Sequence, residues 1–236
     1  MNRRGDGSLD LIRRLDRGGR GKVRVGLLLP WANVAVEEEL PRIGLRNAVF
    51  HHARLVPSSR ATAVDASFWH GLRDAAAGAV GSLVHVPLDS VVLACTSAGF
   101  TGGLSLPAGT LTAFDVLVDG LRTLGARRVV LATPYPDRVT LSEATALRAA
   151  GFTVLAHVGL GLDDGYADVP SRVVRRLLRD LPAGSMGAAD AVVLSCTGWH
   201  TLSCVEPLER ELGKPVVSSN LAIALHAARL SAGAIA

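Results

Sequence analysis

Two cysteines stand in matching surroundings. Val91-Val92-Leu93-Ala94-Cys95-Thr96 returns as Val192-Val193-Leu194-Ser195-Cys196-Thr197, an offset of 101 residues. A thiolate is a good carbon nucleophile, and a thiol can act as an acid near neutral pH. Two thiols on opposite faces of one carbon skeleton divide the work: one attacks or removes a proton, and the other delivers a proton from the far side. The hydroxyls of Thr96, Ser97 and Thr197, with loop N–H groups, are donors for a carboxylate or for the enediolate that forms next to it. A carboxylate held in this way stores the electron pair itself, so the chemistry calls for no cofactor and no metal. Ser97-Ala98-Gly99 and Gly198-Trp199-His200 read as turns into helices. Amides and a helix dipole there are expected to favour thiolate.

A lone cysteine after an apolar strand is ordinarily inert packing; the duplication argues for chemistry here. Cys204 has no counterpart in the repeat and reads as structural. Cys196, His200 and Cys204 have i, i+4, i+8 spacing, but Gly198 and a loop break that face as a metal set. Three cysteines in 236 residues are too few for an all-thiolate zinc site or a disulfide scaffold.

The elements that must position these residues alternate. Val23–Leu29, Val49–Val56, Val91–Ala94, Val129–Ala132, Phe152–Ala156, Val192–Leu194 and Val216-Val217 are short apolar runs of the kind found in buried strands. Between them lie helical stripes: Phe68/Leu72/Ala75/Ala76/Ala79, Phe114/Leu117/Leu121/Leu124 before Gly125, Leu141–Ala150 before Gly151, Val173–Leu181, and Val205/Leu208/Leu212 before Gly213. This order predicts an α/β fold with parallel sheet flanked by helices. A second echo pairs Val23–Trp31 with Val129–Tyr135 at an offset of 104 residues. Together the echoes predict two pseudo-symmetric lobes with the active site in the cleft between them. The expected division is a basic flexible tail over 1–22, a first lobe over 23–119 plus 216–236, and a second over 120–215.

Charge places the same boundary. The chain carries a net charge of +4, but residues 1–24 hold eight basic and three acidic side chains. The remaining 17 basic and 18 acidic residues leave the body near neutrality. With aromatics at only 4%, neither a basic face nor a stacking platform for nucleic acid is expected. The first 22 residues contain no apolar stretch of the signal-peptide kind, and no apolar run approaches the ~20 residues that cross a bilayer. The expectation is a cytoplasmic enzyme that binds neither nucleic acid nor membrane.

These motifs resemble the aspartate/glutamate racemase superfamily, in the branch of maleate cis-trans isomerases and arylmalonate decarboxylases. The resemblance runs from about Val23 to Leu230. It is carried by Val25–Asn33 with Glu37–Glu39 after it, Cys95-Thr96-Ser97, Thr133-Pro134-Tyr135, Ser195-Cys196-Thr197 and Leu212–Asn220. It implies a two-lobed fold and cofactor-free chemistry beside a carboxylate. In the isomerases the first cysteine adds to a double bond and the second is its acid/base partner, so Cys95 would attack and Cys196 would protonate. Asn33 and Tyr135 would hydrogen-bond the small carboxylate substrate, with Thr96, Ser97 and Thr197 helping. The resemblance also allows a homodimer. Arylmalonate decarboxylases typically keep the second cysteine alone, so both cysteines here point to an isomerase. The alternatives are an amino-acid or hydantoin racemase, a decarboxylase-like enzyme and a non-catalytic small-acid binder. Two departures stand out. Trp31-Ala32 replaces small hydroxyl residues and is expected to narrow the cleft or favour an apolar substrate group. Asp164 stands where the isomerases carry asparagine.

Overall fold

The computed structural model describes residues 7–58, 64–101 and 106–235. It contains two four-stranded parallel sheets of identical topology. The first is built from β1 (Val23–Pro30), β2 (Ala48–Leu55), β3 (Ser90–Leu93) and β4 (Thr110–Thr112), in the order β2-β1-β3-β4. The second is built from β5 (Arg128–Thr133), β6 (Thr153–Gly159), β7 (Ala191–Leu194) and β8 (Val216–Ser218), in the order β6-β5-β7-β8. The central strands are the apolar runs read from the sequence, and Leu27, Leu28, Leu29, Val130, Leu131, Val192 and Val193 are fully buried. A strand covered on both faces needs no polar alternation, which is why these runs are continuous.

In each sheet the chain moves outward from the first strand to the second, then returns to the other side of the first. The reversal opens a crevice at the strands' carboxyl ends, between β1 and β3 and between β5 and β7. Pro30–Asn33 and Cys95–Ser97 emerge at the first crevice; Pro134-Tyr135 and Cys196–Gly198 emerge at the second.

Helices α2 (Ala35–Ile43), α3 (Ala66–Ser82), α5 (Asp137–Ala149), α6 (Ser171–Leu177), α7 (Ala183–Ala188) and α8 (Leu202–Leu212) flank the sheets. The last strand of each sheet passes directly into a helix: β4 into α4 (Ala113–Thr123) and β8 into α9 (Ser219–Ser231). Thr112 and Ser218 cap these helices at equivalent places, accepting from the amides of Asp115 and Leu221. The two helices pack against each other, joining the lobes. Leu221, Ile223 and Leu225 of α9 are essentially buried; burial of such side chains stabilises by ~1.5–3 kcal/mol each.

Two boundary expectations are corrected. Val216–Ser218 does not belong to the first lobe's sheet; it pairs with Val192–Leu194 in the second. Only α9 crosses back, packing on α1 (Ser8–Arg17), α2, β1 and β2. The basic tail is also not free over its length. Within it α1 buries Leu9 and Ile12, three residues apart on one helical face. The Asp16 carboxylate accepts from the amides of Arg46 and Asn47 at 2.9 Å. The Ser8 hydroxyl donates to the Val216 carbonyl at 2.7 Å. The charge count concealed an amphipathic helix, because five of the eleven charged residues of 1–24 lie within α1 beside its apolar face. Residues 1–6 of the expected tail lie outside the described residues. No described helix is long and apolar enough to cross a membrane.

Candidate active site

Both crevices open into one cavity of about 410 Å³. Cys95 and Cys196 line it together, as do Asn33, Thr96, Ser97, Tyr135 and Thr197. The fold therefore brings all seven expected residues to one place. The wall also contains Val34, Val64 and Phe68, and the rim contains Asp164, Tyr166 and Asp168.

The thiols are nearly sealed, Cys95 at 6% and Cys196 at 5% exposure. Burial raises the pKa of Cys95; the Ser97 hydroxyl, whose Oγ lies 3.5 Å from its Sγ, and the amides of Ala98 and Ser97 oppose the rise. Burial pushes Cys196 up to about 12, opposed by the Tyr135 hydroxyl and the Gly198 amide and reinforced by any charge on Cys95 or Glu143. The expectation of thiols that favour thiolate is thus corrected. The amides are in place, but desolvation outweighs them. The helix dipole is missing too: Ser97–Gly99 forms a single 3-10 turn, and α8 begins only at Leu202. Charge on Cys95 further disfavours charge on Cys196, so the free site holds thiols and a single thiolate is the next accessible state.

The two threonines play a different part from the one expected. Thr96 Oγ1 donates to Ser219 Oγ at 2.9 Å, and Ser219 Oγ accepts the Cys196 amide at 3.1 Å. Thr197 Oγ1 donates to the Ala94 carbonyl at 2.7 Å. Each hydroxyl reaches from its own cysteine loop into the opposite lobe and fixes one loop against the other. Asn33 is also engaged: its Nδ2 donates to Thr197 Oγ1 at 3.1 Å and its Oδ1 accepts the Val36 amide at 3.3 Å. Ser97 and Tyr135 keep their hydroxyls beside the sulfurs, and Tyr135, at 2% exposure, is held well above its usual pKa by burial.

The two departures have separate outcomes. Trp31 does not line the cavity; its ring rests on Phe68 with centroids 5.1 Å apart, and Phe68 forms the wall. Asp164 lies at the exposed rim, where its Oδ1 accepts the Gly165 amide at 2.7 Å. Tyr166 stacks edge-on against Tyr135 at 5.5 Å. Cys204 and His200 do not join Cys196 as ligands. The Cys204 thiol donates to the Ser171 carbonyl at 3.5 Å, and His200 bonds the Ala167 carbonyl and Glu38.

The comparisons with known proteins agree with this geometry. The sequence model of the arylmalonate decarboxylase family matches residues 97–234. Maleate isomerase of Nocardia farcinica is 30% identical over 218 residues, covering 83% of this chain and 85% of the relative. The chain belongs to this family. It is an enzyme of the maleate isomerase/arylmalonate decarboxylase branch of the aspartate/glutamate racemase superfamily. Arylmalonate decarboxylase of Bordetella bronchiseptica is 37% identical over 131 residues, 54% of this chain and 53% of that protein. Among solved structures, a cysteine-to-serine variant of the Nocardia farcinica maleate cis-trans isomerase carries a covalently bound succinylcysteine intermediate. It superposes with a TM-score of 0.75 at 26% identity, covering 86% of this chain and 90% of that one.

Sequence reading gave no role to two buried carboxylates behind the cysteine loops, Glu39 in the Glu37–Glu39 run and Glu143. Glu39 on α2 is 2% exposed; its Oε1 accepts the Thr201 and Leu202 amides at 2.6 and 2.7 Å, and its Oε2 accepts Asn220 Nδ2 at 2.8 Å. Asn220 Nδ2 also reaches the Thr197 carbonyl at 3.2 Å. Glu143 on α5 is fully buried. The signal was available: 39 and 143 differ by the same 104 residues that relate Trp31 to Tyr135.

Proposed function

We propose that the protein interconverts the cis and trans forms of a small unsaturated carboxylic acid, with Cys95 as nucleophile and Cys196 as proton donor and acceptor. The observation that carries this reading is the convergence of two buried, mutually sensitive thiols on one small cavity. The cysteine-bound intermediate captured in the Nocardia farcinica relative supports it.

The substrate carboxylate is held by the Ser97 and Tyr135 hydroxyls and the loop amides. Cys95 first loses its thiol proton to solvent, and the thiolate so formed bonds to the alkene carbon β to that carboxylate. The π pair moves onto the carboxylate as an enediolate, and Cys196 gives its proton to the α-carbon. The former double bond is now single and turns. The Cys196 thiolate then takes a proton back from the α-carbon, the double bond re-forms and the Cys95 thiolate leaves. Atoms and charge balance over the cycle. The raised pKa of Cys196 suits a proton donor: it stays a thiol until a strongly basic carbon appears beside it. Asn33, Thr96 and Thr197 keep the two loops in register, and their amide or hydroxyl contacts position the acid between them.

Proton NMR of maleate incubated with the enzyme tests the reading. Fumarate should accumulate, and Cys95→Ala and Cys196→Ala should each lower kcat by at least about 10³-fold with the fold unchanged. Full turnover in either variant would remove the two-thiol mechanism.

A further inference from the structure

Glu143 is a fully buried ionisable group that the mechanism above leaves unused. It lies on α5, in the place that pseudo-symmetry makes equivalent to Glu39 on α2. The two have opposite surroundings. Glu39 has three donors on its oxygens. Glu143 is 0% exposed, and neither of its oxygens has a hydrogen-bond partner. The Ser195 hydroxyl is the polar group that favours its charged form, and it falls outside hydrogen-bonding geometry. Carboxyl groups left unpaired in a core cost several kcal/mol if charged, so such a group stays neutral.

Its position gives that neutrality a consequence. Ser195 directly precedes Cys196, and charge on Glu143 acts on both Cys196 and Tyr135. We propose that Glu143 is a positioning residue for the proton on Cys196: as a neutral acid it lets Cys196 release and recover its proton during turnover, and as a carboxylate it locks Cys196 in the thiol form. This rests on the reading of Cys196 as proton donor. The charge of Glu143 reaches Tyr135 and Cys196, which come from the turns after β5 and β7. Burial dominates the surroundings of Glu143 and sets its ionisation at about 8. Raising the pH through that value therefore adds a negative charge behind the thiol that must give up its proton.

The alkylation rate of Cys196 tests this without any substrate turnover. In a Cys95→Ser background, iodoacetamide reacts with the Cys196 thiolate, and the rate is followed from pH 6 to 10.5. Glu143→Gln in the same background should alkylate about tenfold faster at pH 9.5, the factor that one pKa unit produces, while the two rates converge below pH 7. The same glutamine in the otherwise native enzyme should extend the alkaline limb of kcat upward without changing KM. Infrared difference spectra of the native enzyme give an independent measurement that needs no variant. A protonated carboxyl band should be present at pH 7 and disappear through about pH 8. Superimposable alkylation profiles, or a native spectrum with no protonated carboxyl at pH 7, would overturn the proposal. If maleate and related acids are not isomerised but the alkylation shift is found, the proposed reaction fails while the role of Glu143 stands.

Discussion

Glu39 ties the two lobes together, and its removal gives a stability prediction that can be worked from its contacts. The side chain leaves α2 in the first lobe and takes the first amides of α8 in the second, together with Asn220 at the start of α9. Burial raises its pKa, and the Asn220, Leu202 and Thr201 donors oppose that rise. In Glu39→Ala these three donors lose their acceptor inside the protein. Unsatisfied buried donors cost ~1–3 kcal/mol each, a gross loss of roughly 3–9 kcal/mol. Removing a desolvated charge and admitting water recover part of it, so we expect a net loss of about 3–4 kcal/mol. Glu39→Gln should cost only about 1 kcal/mol. One amide oxygen still accepts from α8, and the new NH₂ can face Asn220 Oδ1, which has no partner in the native chain. That arrangement turns Asn220 Nδ2 away from the Thr197 carbonyl, so Glu39→Gln should reduce kcat more than stability. Urea unfolding followed by circular dichroism measures both free energies. A loss below about 1 kcal/mol for Glu39→Ala, or equal losses for alanine and glutamine, would refute the reasoning.

Two further predictions concern the same site. Glu143 holds its proton in the folded state up to a pH of about 8, whereas the unfolded chain releases it near 4.5. Between those values the folded state binds the extra proton, so native stability falls as pH rises through the window. The window at ~1.4 kcal/mol per pH unit sets a ceiling of about 5 kcal/mol, and water entering as the carboxylate forms should reduce it to about 2 kcal/mol. Urea midpoints should therefore show Glu143→Gln gaining on the native protein from pH 5 to 8, and parallel curves would contradict this. Gly159→Ala would place a Cβ 2.6 Å from the Tyr135 carbonyl and 2.7 Å from Thr140 Oγ1. It should cost about 2–3 kcal/mol in thermal unfolding and lower kcat by displacing Tyr135; a variant as active as the native enzyme would show that the Tyr135 backbone tolerates the shift.

Much of this architecture was legible because buried parallel strands leave a strong mark: continuous β-branched runs ended by proline or by Cys-Thr. The repeat supplied the lobes and the convergence of Cys95 with Cys196, since equivalent loops of a duplicated unit face the same crevice. What was not legible depended on three-dimensional packing. Val216–Ser218 is too short for its sequence to choose between two sheets, and only pairing with β7 decides it. Helix α1 was hidden by its own charge. The cysteine pKa directions were misread because amides are visible in a loop sequence, whereas the depth of burial that outweighs them is not. Thr96 and Thr197 look like substrate donors in sequence, and their commitment across the lobes depends on Ser219 and the Ala94 carbonyl.

The most direct test of the central claim is to trap the covalent step. In Cys196→Ser, Cys95 can still add to the alkene, with water or the new hydroxyl supplying the α-carbon proton, but the thiol that would take that proton back is gone. Incubated with maleate and analysed by intact-protein mass spectrometry and peptide mapping, this variant should carry one succinyl group per chain, on Cys95. A label on Cys196 in the native enzyme, or no adduct in the serine variant while Cys95→Ala still turns over maleate, would contradict the assignment of the two thiols.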